Sequence, residues 1–318
     1  LKFLIIYPFS VFRFMKNLGS SYEDKLLVFA LWSVFDDQVV ENYMRFLFGQ
    51  RLSFLVPGRI KCVSWYGNVP AEKFFYLGLR TLPRKTEIIG AQLFVRPNTL
   101  MNIVPDKGEI PFKVVPDKIL VNGPGFRFDF DQVRVGVGPS LRYKYLFNST
   151  VSRAGEFILV VMPYWDYLTN HLLDVVREVD WPAPIKIKFH PTTDWEKFKT
   201  KILEKFSVTT EPLSSLLPRA LMAVGHSTGA LVEAAALGIP VIDIQYYKKF
   251  SHDYMPESGK GILWGQADNA KEVGLLIKNF QVTLKENPEQ LEEEGRKVRT
   301  FCFAEPTEEL MHQAFELD

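Results

Sequence analysis

The feature that most constrains this chain is a series of short apolar runs, each stopped by a polar residue, Gly or Pro and followed by a helix-length segment. In the second half these runs are "FILVVMP" (157–163), "KIKFHP" (186–191), "LMAVG" (221–225) and "PVIDIQ" (240–245). They are short and rich in Val and Ile, which suits buried strands. Helix-period segments lie near 167–179 and 194–205, and a short strand "FSVTT" and a helical turn "PLSSLLPRA" precede "LMAVG". A helix between two strands returns the chain to the same end of the sheet, so such strands run parallel with right-handed crossovers.

The first half repeats the pattern more loosely. "IKCVSW" (60–65), "EIIGAQ" (87–92), "KILVNG" (118–123) and "VRVGVG" (133–138) read as strands, and "AEKFFYLGLRTL" (71–82) reads as a helix. The stretch "VRPNTLMNIVPDKGEIPFKVVPD" is too rich in Pro for one helix and reads as a long functional connection. Periodicity stops in "GPSLRYKYLFNSTVSRAG" (138–155). The expected fold class is therefore α/β, with two Rossmann-like domains facing each other across a cleft. The expected divisions are an N-terminal Rossmann-like domain at 1–146, a C-terminal Rossmann-like domain at 147–285, and C-terminal helices at 286–318 packing back on the body. Helices are expected at about 269–281, 286–302 and within 307–318.

Composition narrows the function. A net charge of +1 argues against a nucleic-acid binder with a broad basic field, so no nucleic-acid partner is expected. Two cysteines, Cys62 and Cys302, supply neither a metal spacing nor a disulfide framework, so a reducing, cytoplasmic setting and no metal are expected. No apolar run approaches the roughly 18 residues that span a bilayer. Phe is abundant, with 26 residues, and the opening "LKFLIIYPFSVFRFMKNLG" reads either as a Phe-rich helical core or as a peripheral contact. The contact would be with the inner membrane or a partner domain.

Ligands of open α/β sheets collect at the carboxyl ends of the strands. In "AVGHSTGALVEAAALGIPVIDI", Ser227 or Thr228 stands where a helix N-cap is wanted, and Gly229 leaves room for a ligand. The free N–H groups of a helix start suit a phosphate, although most such hydroxyls only cap. Glu233, alone among Ala, Leu and Val, faces either solvent or a polar ligand such as a ribose. His190, before Pro191, is either a structural histidine or a donor to a phosphate. One helix terminus contributes about 0.3–1 kcal/mol, rising to about 2 when partly buried. Micromolar to millimolar binding needs about 4–8 kcal/mol, so a nucleotide site requires several anchors on adjacent strand ends.

These residues carry a resemblance. "HP" after one strand and "STG…E…ALGIPVI" two strand units later resemble the donor domain of GT-B glycosyltransferases, most of all sialyltransferases and Kdo transferases with CMP-activated donors. "WYGNVPAEKFFYLGLR", "IIGAQ", "PNTLMNIVPDKGE", "PDKILVNG" and "SLRYKYLF" are similar to a bacterial surface-carbohydrate family related to the retaining β-Kdo transferases of O-antigen and capsule. The resemblance runs from about residue 60 to about residue 250. It implies a CMP-sugar donor as substrate, a glycan or lipid-linked glycan acceptor, and no cofactor. It makes 1–146 the acceptor domain and 147–285 the nucleotide-sugar donor domain. It implies further that Ser227, Thr228 and Gly229 hold the donor phosphate, that His190 assists, and that Glu233 meets the ribose.

For the sugar chemistry, double displacement needs a carboxylate at the anomeric carbon. Asp166 is the candidate, and a helix cap is its other reading. Asn68, Gln92 and Asn98 are candidate acceptor contacts. The turn after the first strand departs from the family, with Gly67 where an acidic residue is usual. Two other readings stay open: a non-hydrolysing UDP-sugar 2-epimerase, disfavoured because Ala234 rather than a second Glu follows Glu233, and a catalytically silent nucleotide- or glycan-binding module.

Overall fold

The computed structural model describes residues 12, 13, 16, 19, 21–25, 37–82, 86–152 and 154–317. The opening segment "LKFLIIYPFSVFRFMKNLG" lies almost wholly outside the described residues. The elements run α1 (Asp37–Leu55), β1 (Ile60–Trp65), α2 (Pro70–Leu79), β2 (Thr86–Gln92), β3 (Lys118–Val121), β4 (Arg134–Val137) and α3 (Tyr145–Asn148). They continue with β5 (Phe157–Val161), α4 (Asp166–Glu178), β6 (Ile185–Lys188), β7 (Phe206–Val208), α5 (Leu213–Leu216), β8 (Ala220–Gly225), α6 (Ala230–Ala236) and β9 (Val241–Ile244). Last come β10 (Trp264–Ala267), α7 (Ala270–Glu286), α8 (Pro288–Cys302) and α9 (Glu308–Phe315).

Two parallel sheets result. The first has the order β1-β2-β3-β4, and the second β10-β9-β8-β5-β6-β7. The second is the doubly wound Rossmann order, in which the chain winds outward from β5 in one direction and then in the other. Its central strands β5, β8 and β9 are buried on both faces, as helix-flanked parallel strands are. Ile158, Val160, Ile187, Met222, Val224 and Ile242 form the centre of its core. The strands expected from sequence fall within a residue or two of their observed limits, except that β6 ends at Lys188, three residues before the end of "KIKFHP". The series does not close at "PVIDIQ", however: β10 adds a sixth strand beside β9. "WGQA" is too short and too mixed to show period-2 or a continuous apolar run.

The chain divides into two compact units, one comprising residues up to 62, 66–88 and 105–116, the other 63–65, 89–104 and 117–318. In the first, α1 and α2 pack at very short range. A Cβ on Gly49 would lie 2.5 Å from the Phe75 carbonyl oxygen, and one on Gly78 would lie 2.2 Å from that of Phe46. In the second, the C-terminal segment runs back along β2 and β3. Asn122 donates its side-chain amide to Cys302 (3.0 Å), Ala304 donates its N–H to Asn122 (3.0 Å), and Ala314 of α9 packs with Ile89, Ala91 and Leu120.

Gly78→Ala is expected to lower the unfolding midpoint, because a methyl group forced against a helix carbonyl is an overpacking defect worth about 1–3 kcal/mol. Urea unfolding followed by far-UV circular dichroism measures it, and an unchanged midpoint would contradict the close helix contact.

Candidate functional site

The order of the second sheet reverses between β5 and β8, and the crevice beyond their carboxyl ends is where such folds bind ligands. Gly225, the last residue of β8, permits this pairing: a Cβ there would lie 2.7 Å from the Val161 carbonyl oxygen. The chain then passes through His226, Ser227, Thr228 and Gly229 into α6. Ser227 holds a left-handed backbone at φ 51, a conformation that costs a non-glycine residue of order 1–3 kcal/mol.

Neither hydroxyl caps the helix as the sequence suggested. The helix begins at Ala230 with Gly229 as its N-cap, so it starts too late for Ser227. Ser227 Oγ accepts the His252 N–H at 2.8 Å, and Thr228 Oγ1 makes only a 3.4 Å contact with the Ala230 N–H.

Glu233 does not lie on a solvated face. It is 9% exposed, and Tyr145 Oη–H donates to its Oε2 at 2.6 Å. Burial raises its pKa to about 7, against the opposing pulls of the Tyr145 hydrogen bond and the Arg142 charge. Tyr145 belongs to the segment joining the two sheets, where Tyr143 Oη also accepts the Val95 N–H at 3.1 Å.

His190 is exposed, and its Nδ1 is engaged by the Thr192 hydroxyl at 2.8 Å, which leaves Nε2 for a ligand. Desolvation first, and then Arg142, lower its pKa. It is not on a strand adjacent to β8. The sheet order places β5 between β6 and β8, so His190 and Ser227 stand one strand apart with "PYWD" between them. That intervening loop is aromatic. Tyr164 meets the His190 ring edge-on at 5.3 Å, and Trp165 packs on His252 at 5.2 Å.

Asp166 is the first residue of α4, whose N-cap is Trp165. Its side chain is exposed, 3.9 Å from Lys197 Nζ. Gln92 is 2% exposed and donates its amide to the Ile103 carbonyl at 2.8 Å, so it holds the 93–104 loop. Asn98 is exposed, and its backbone N–H donates to the Asp253 carbonyl at 2.9 Å. Asn68, in the other unit, is 7% exposed with φ 55. At this turn a carboxylate is present although Gly67 is not acidic. Both oxygens of Glu72 accept the Gly67 N–H at 2.9 Å, and burial raises its pKa ahead of those hydrogen bonds.

Sequence reasoning missed a buried pair. Asp243, in β9 register with Gly225, accepts from His226 Nδ1 at 2.8 Å and from Gln245 Nε2 at 2.5 Å. The carboxylate fixes the hydrogen on Nδ1 and leaves Nε2 buried with no hydrogen-bond partner. The signal was legible in part: a lone Asp inside "VIDI" demands a partner, and His226 directly follows the apolar run "LMAVG". Among the described residues no His, Cys, Asp and Glu group could hold a metal ion, and no helix is long and apolar enough to cross a membrane.

No protein-family model matches the chain, and no curated protein matches it in sequence. Solved structures match its fold. UDP-GlcNAc 2-epimerase from Neisseria meningitidis bound to UDP-GlcNAc is 11% identical with a TM-score of 0.52, the match covering 94% of this chain and 90% of that one. MurG from Acinetobacter baumannii is 12% identical with a TM-score of 0.51, covering 87% and 78%. MnaA from S. aureus, in a co-structure with UDP, is 12% identical with a TM-score of 0.50, covering 86% and 76%. The fold is GT-B-like.

The Glu233 environment gives a pH prediction. Its folded pKa of about 7 lies above the ordinary 4.5, so the stability it contributes is present below pH 4.5 and lost as pH rises through 7. Glu233→Gln is therefore expected to flatten the fall in unfolding free energy between pH 5 and pH 8, measured by urea titration, by on the order of 3 kcal/mol. Parallel pH profiles for the two proteins would contradict the burial of an ionisable group at this position.

Proposed function

We propose that this protein is a glycosyltransferase that moves a sugar from a nucleotide-sugar donor to a glycan acceptor. The observation that carries this reading is the cluster at the β5–β8 switch point, where a strained Ser227 lies in the strand-to-helix connection and a buried, tyrosine-held Glu233 in the first turn of the helix that follows. Strain and buried charge persist where a ligand makes use of them. The GT-B-like fold agrees with it, since MurG and the Neisseria epimerase complexed with UDP-GlcNAc share that fold.

In this reading Ser227, Thr228 and Gly229 receive the donor phosphate, His190 Nε2 donates to it from one strand away, and the free oxygen of Glu233 accepts from ribose hydroxyls. The donor is CMP-linked, on the strength of the paired "HP" and "STG" motifs, and the sugar is Kdo or a similar acidic sugar. Asp166 is the candidate nucleophile for a retaining reaction, and Asn98 a candidate acceptor contact. The acceptor is a bacterial surface glycan, free or lipid-linked, met in the cytoplasm or at the inner membrane. The second reading, a UDP-sugar 2-epimerase, is favoured by the Neisseria fold neighbour and disfavoured by Ala234 beside Glu233.

A thermal-shift panel of CMP, CDP, UMP and UDP tests the donor. CMP is expected to raise the melting temperature, and Ser227→Ala combined with His190→Ala to abolish the rise. A preference for UDP would remove the CMP assignment, and no response to any nucleotide would remove the transferase reading. Asp166→Asn is expected to stop sugar transfer with CMP binding retained, and unchanged turnover would return Asp166 to a surface partner of Lys197.

A further inference from the structure

A nucleotide site needs positive charge, and the residues assigned to it above supply none that is permanent. The segment between the two sheets does. Arg142 is exposed, and none of the ion pairs recorded among the described residues involves it. Its guanidinium stands over the Tyr143 ring, 5.8 Å from the centroid. That ring cannot wander, because Tyr143 is 4% exposed, its hydroxyl accepts the Val95 N–H at 3.1 Å, and it packs on Phe303 at 4.8 Å.

Three residues beyond Arg142, Tyr145 is tied to Glu233 at 2.6 Å, so one short turn carries both a free cation and the group that holds the buried carboxylate. The Arg142 charge reaches both arms of the site. After desolvation it is the further influence on His190, and after desolvation and the Tyr145 hydrogen bond it acts on Glu233. An arginine held on an aromatic face, unpaired, and within electrostatic reach of a histidine and a carboxylate has the geometry for a charge-assisted pair with a phosphoryl group.

We propose that Arg142 binds the phosphoryl group of the nucleotide and that Tyr145 is a positioning residue that holds Glu233 toward the ribose. This rests on the nucleotide reading of the Ser227–Glu233 cluster and gives roles to two residues of the "SLRYKYLF" segment. Arg142 acts only on ligands bearing a phosphate, and Tyr145 only on those bearing ribose hydroxyls.

The experiment is titration calorimetry on the full chain with CMP, UMP, their nucleosides, 2′-deoxy-CMP, inorganic pyrophosphate and free N-acetylneuraminate. Wild type, Arg142→Gln, Arg142→Lys and Tyr145→Phe are compared, with native far-UV circular dichroism and a cooperative melt above the assay temperature as the folding control. Arg142→Gln is expected to lower nucleotide affinity by about 10- to 100-fold, the loss of a charged hydrogen bond, with nucleoside affinity unchanged and Arg142→Lys intermediate. Tyr145→Phe is expected to shrink the preference for CMP over 2′-deoxy-CMP and to leave pyrophosphate binding unaltered.

Nucleotide binding in wild type that Arg142→Gln does not weaken overturns the inference and leaves the proposed function standing. Pyrophosphate binding that depends on Arg142, without nucleotide binding, supports the phosphoryl site while removing the nucleotide reading and the role of Tyr145 with it. Loss of N-acetylneuraminate binding alone in Arg142→Gln reassigns the residue to a sugar carboxylate and overturns the phosphoryl role. No binding of any probe overturns both.

Discussion

The pairing of β5 with β8 is the constraint on which the second sheet depends. Five of its six strands are reached by leaving β5 in one direction or returning to pair beside it, so the loops after β5 and β8 diverge and leave a crevice between them. The pairing is tight enough at its carboxyl end that a side chain at position 225 would strike the Val161 carbonyl. Glycine there sets the two strand ends together, and everything with chemical character follows within a few residues: His226, Ser227, Thr228 and, on the other strand, the Tyr164–Trp165 turn.

Burying polar groups in such a place is costly unless each finds a partner, and the chain meets that cost from several directions. Asp243 takes two donors, one from His226 and one from Gln245. Glu233 takes a tyrosine hydroxyl from the segment joining the sheets. Ser227 takes a backbone N–H from the 251–256 loop, and that loop is stitched in turn to the 93–104 loop through Thr99–His252 and Asn98–Asp253 contacts. The α6 connection is thus fixed by three segments distant in sequence. A strained left-handed serine survives because its hydroxyl and its neighbours leave it no relaxed alternative.

Much of the fold was legible in the chain because burial on both faces of a parallel strand writes a nearly continuous apolar run, and β3, β5, β8 and β9 have one. β10 did not, because "WGQA" at the sheet edge carries a glycine and an exposed glutamine. The site was legible in part. Ser227, Glu233 and His190 could be named because polar residues at the ends of apolar runs are visible in one dimension. What each one touches was not visible. The cap position moved to Gly229, the solvated face of Glu233 became a buried bond to Tyr145, and the adjacency of His190 failed, since strand order is a property of the sheet rather than of the sequence. Asp243 and His226 fall between these cases, since a lone Asp inside a strand announces a missing partner without saying which one.

The placement of the tyrosines argues for what the joining segment does. A linker that merely connected two sheets would be solvated and need no long-range bonds. Residues 141–148 instead put two tyrosine hydroxyls into separate hydrogen bonds, one to the 93–104 loop and one to α6, and pack one of the rings at a tilt against Phe303 at the end of α8. Deleting either hydroxyl would leave a buried N–H or a buried carboxylate without its partner, a loss of about 1–3 kcal/mol. The segment therefore acts as a brace whose fixed side is buried and whose exposed side presents Arg142. Any anion that pairs with Arg142 binds to a rigid arm rather than to a flexible surface chain, so less rotamer entropy opposes the contact.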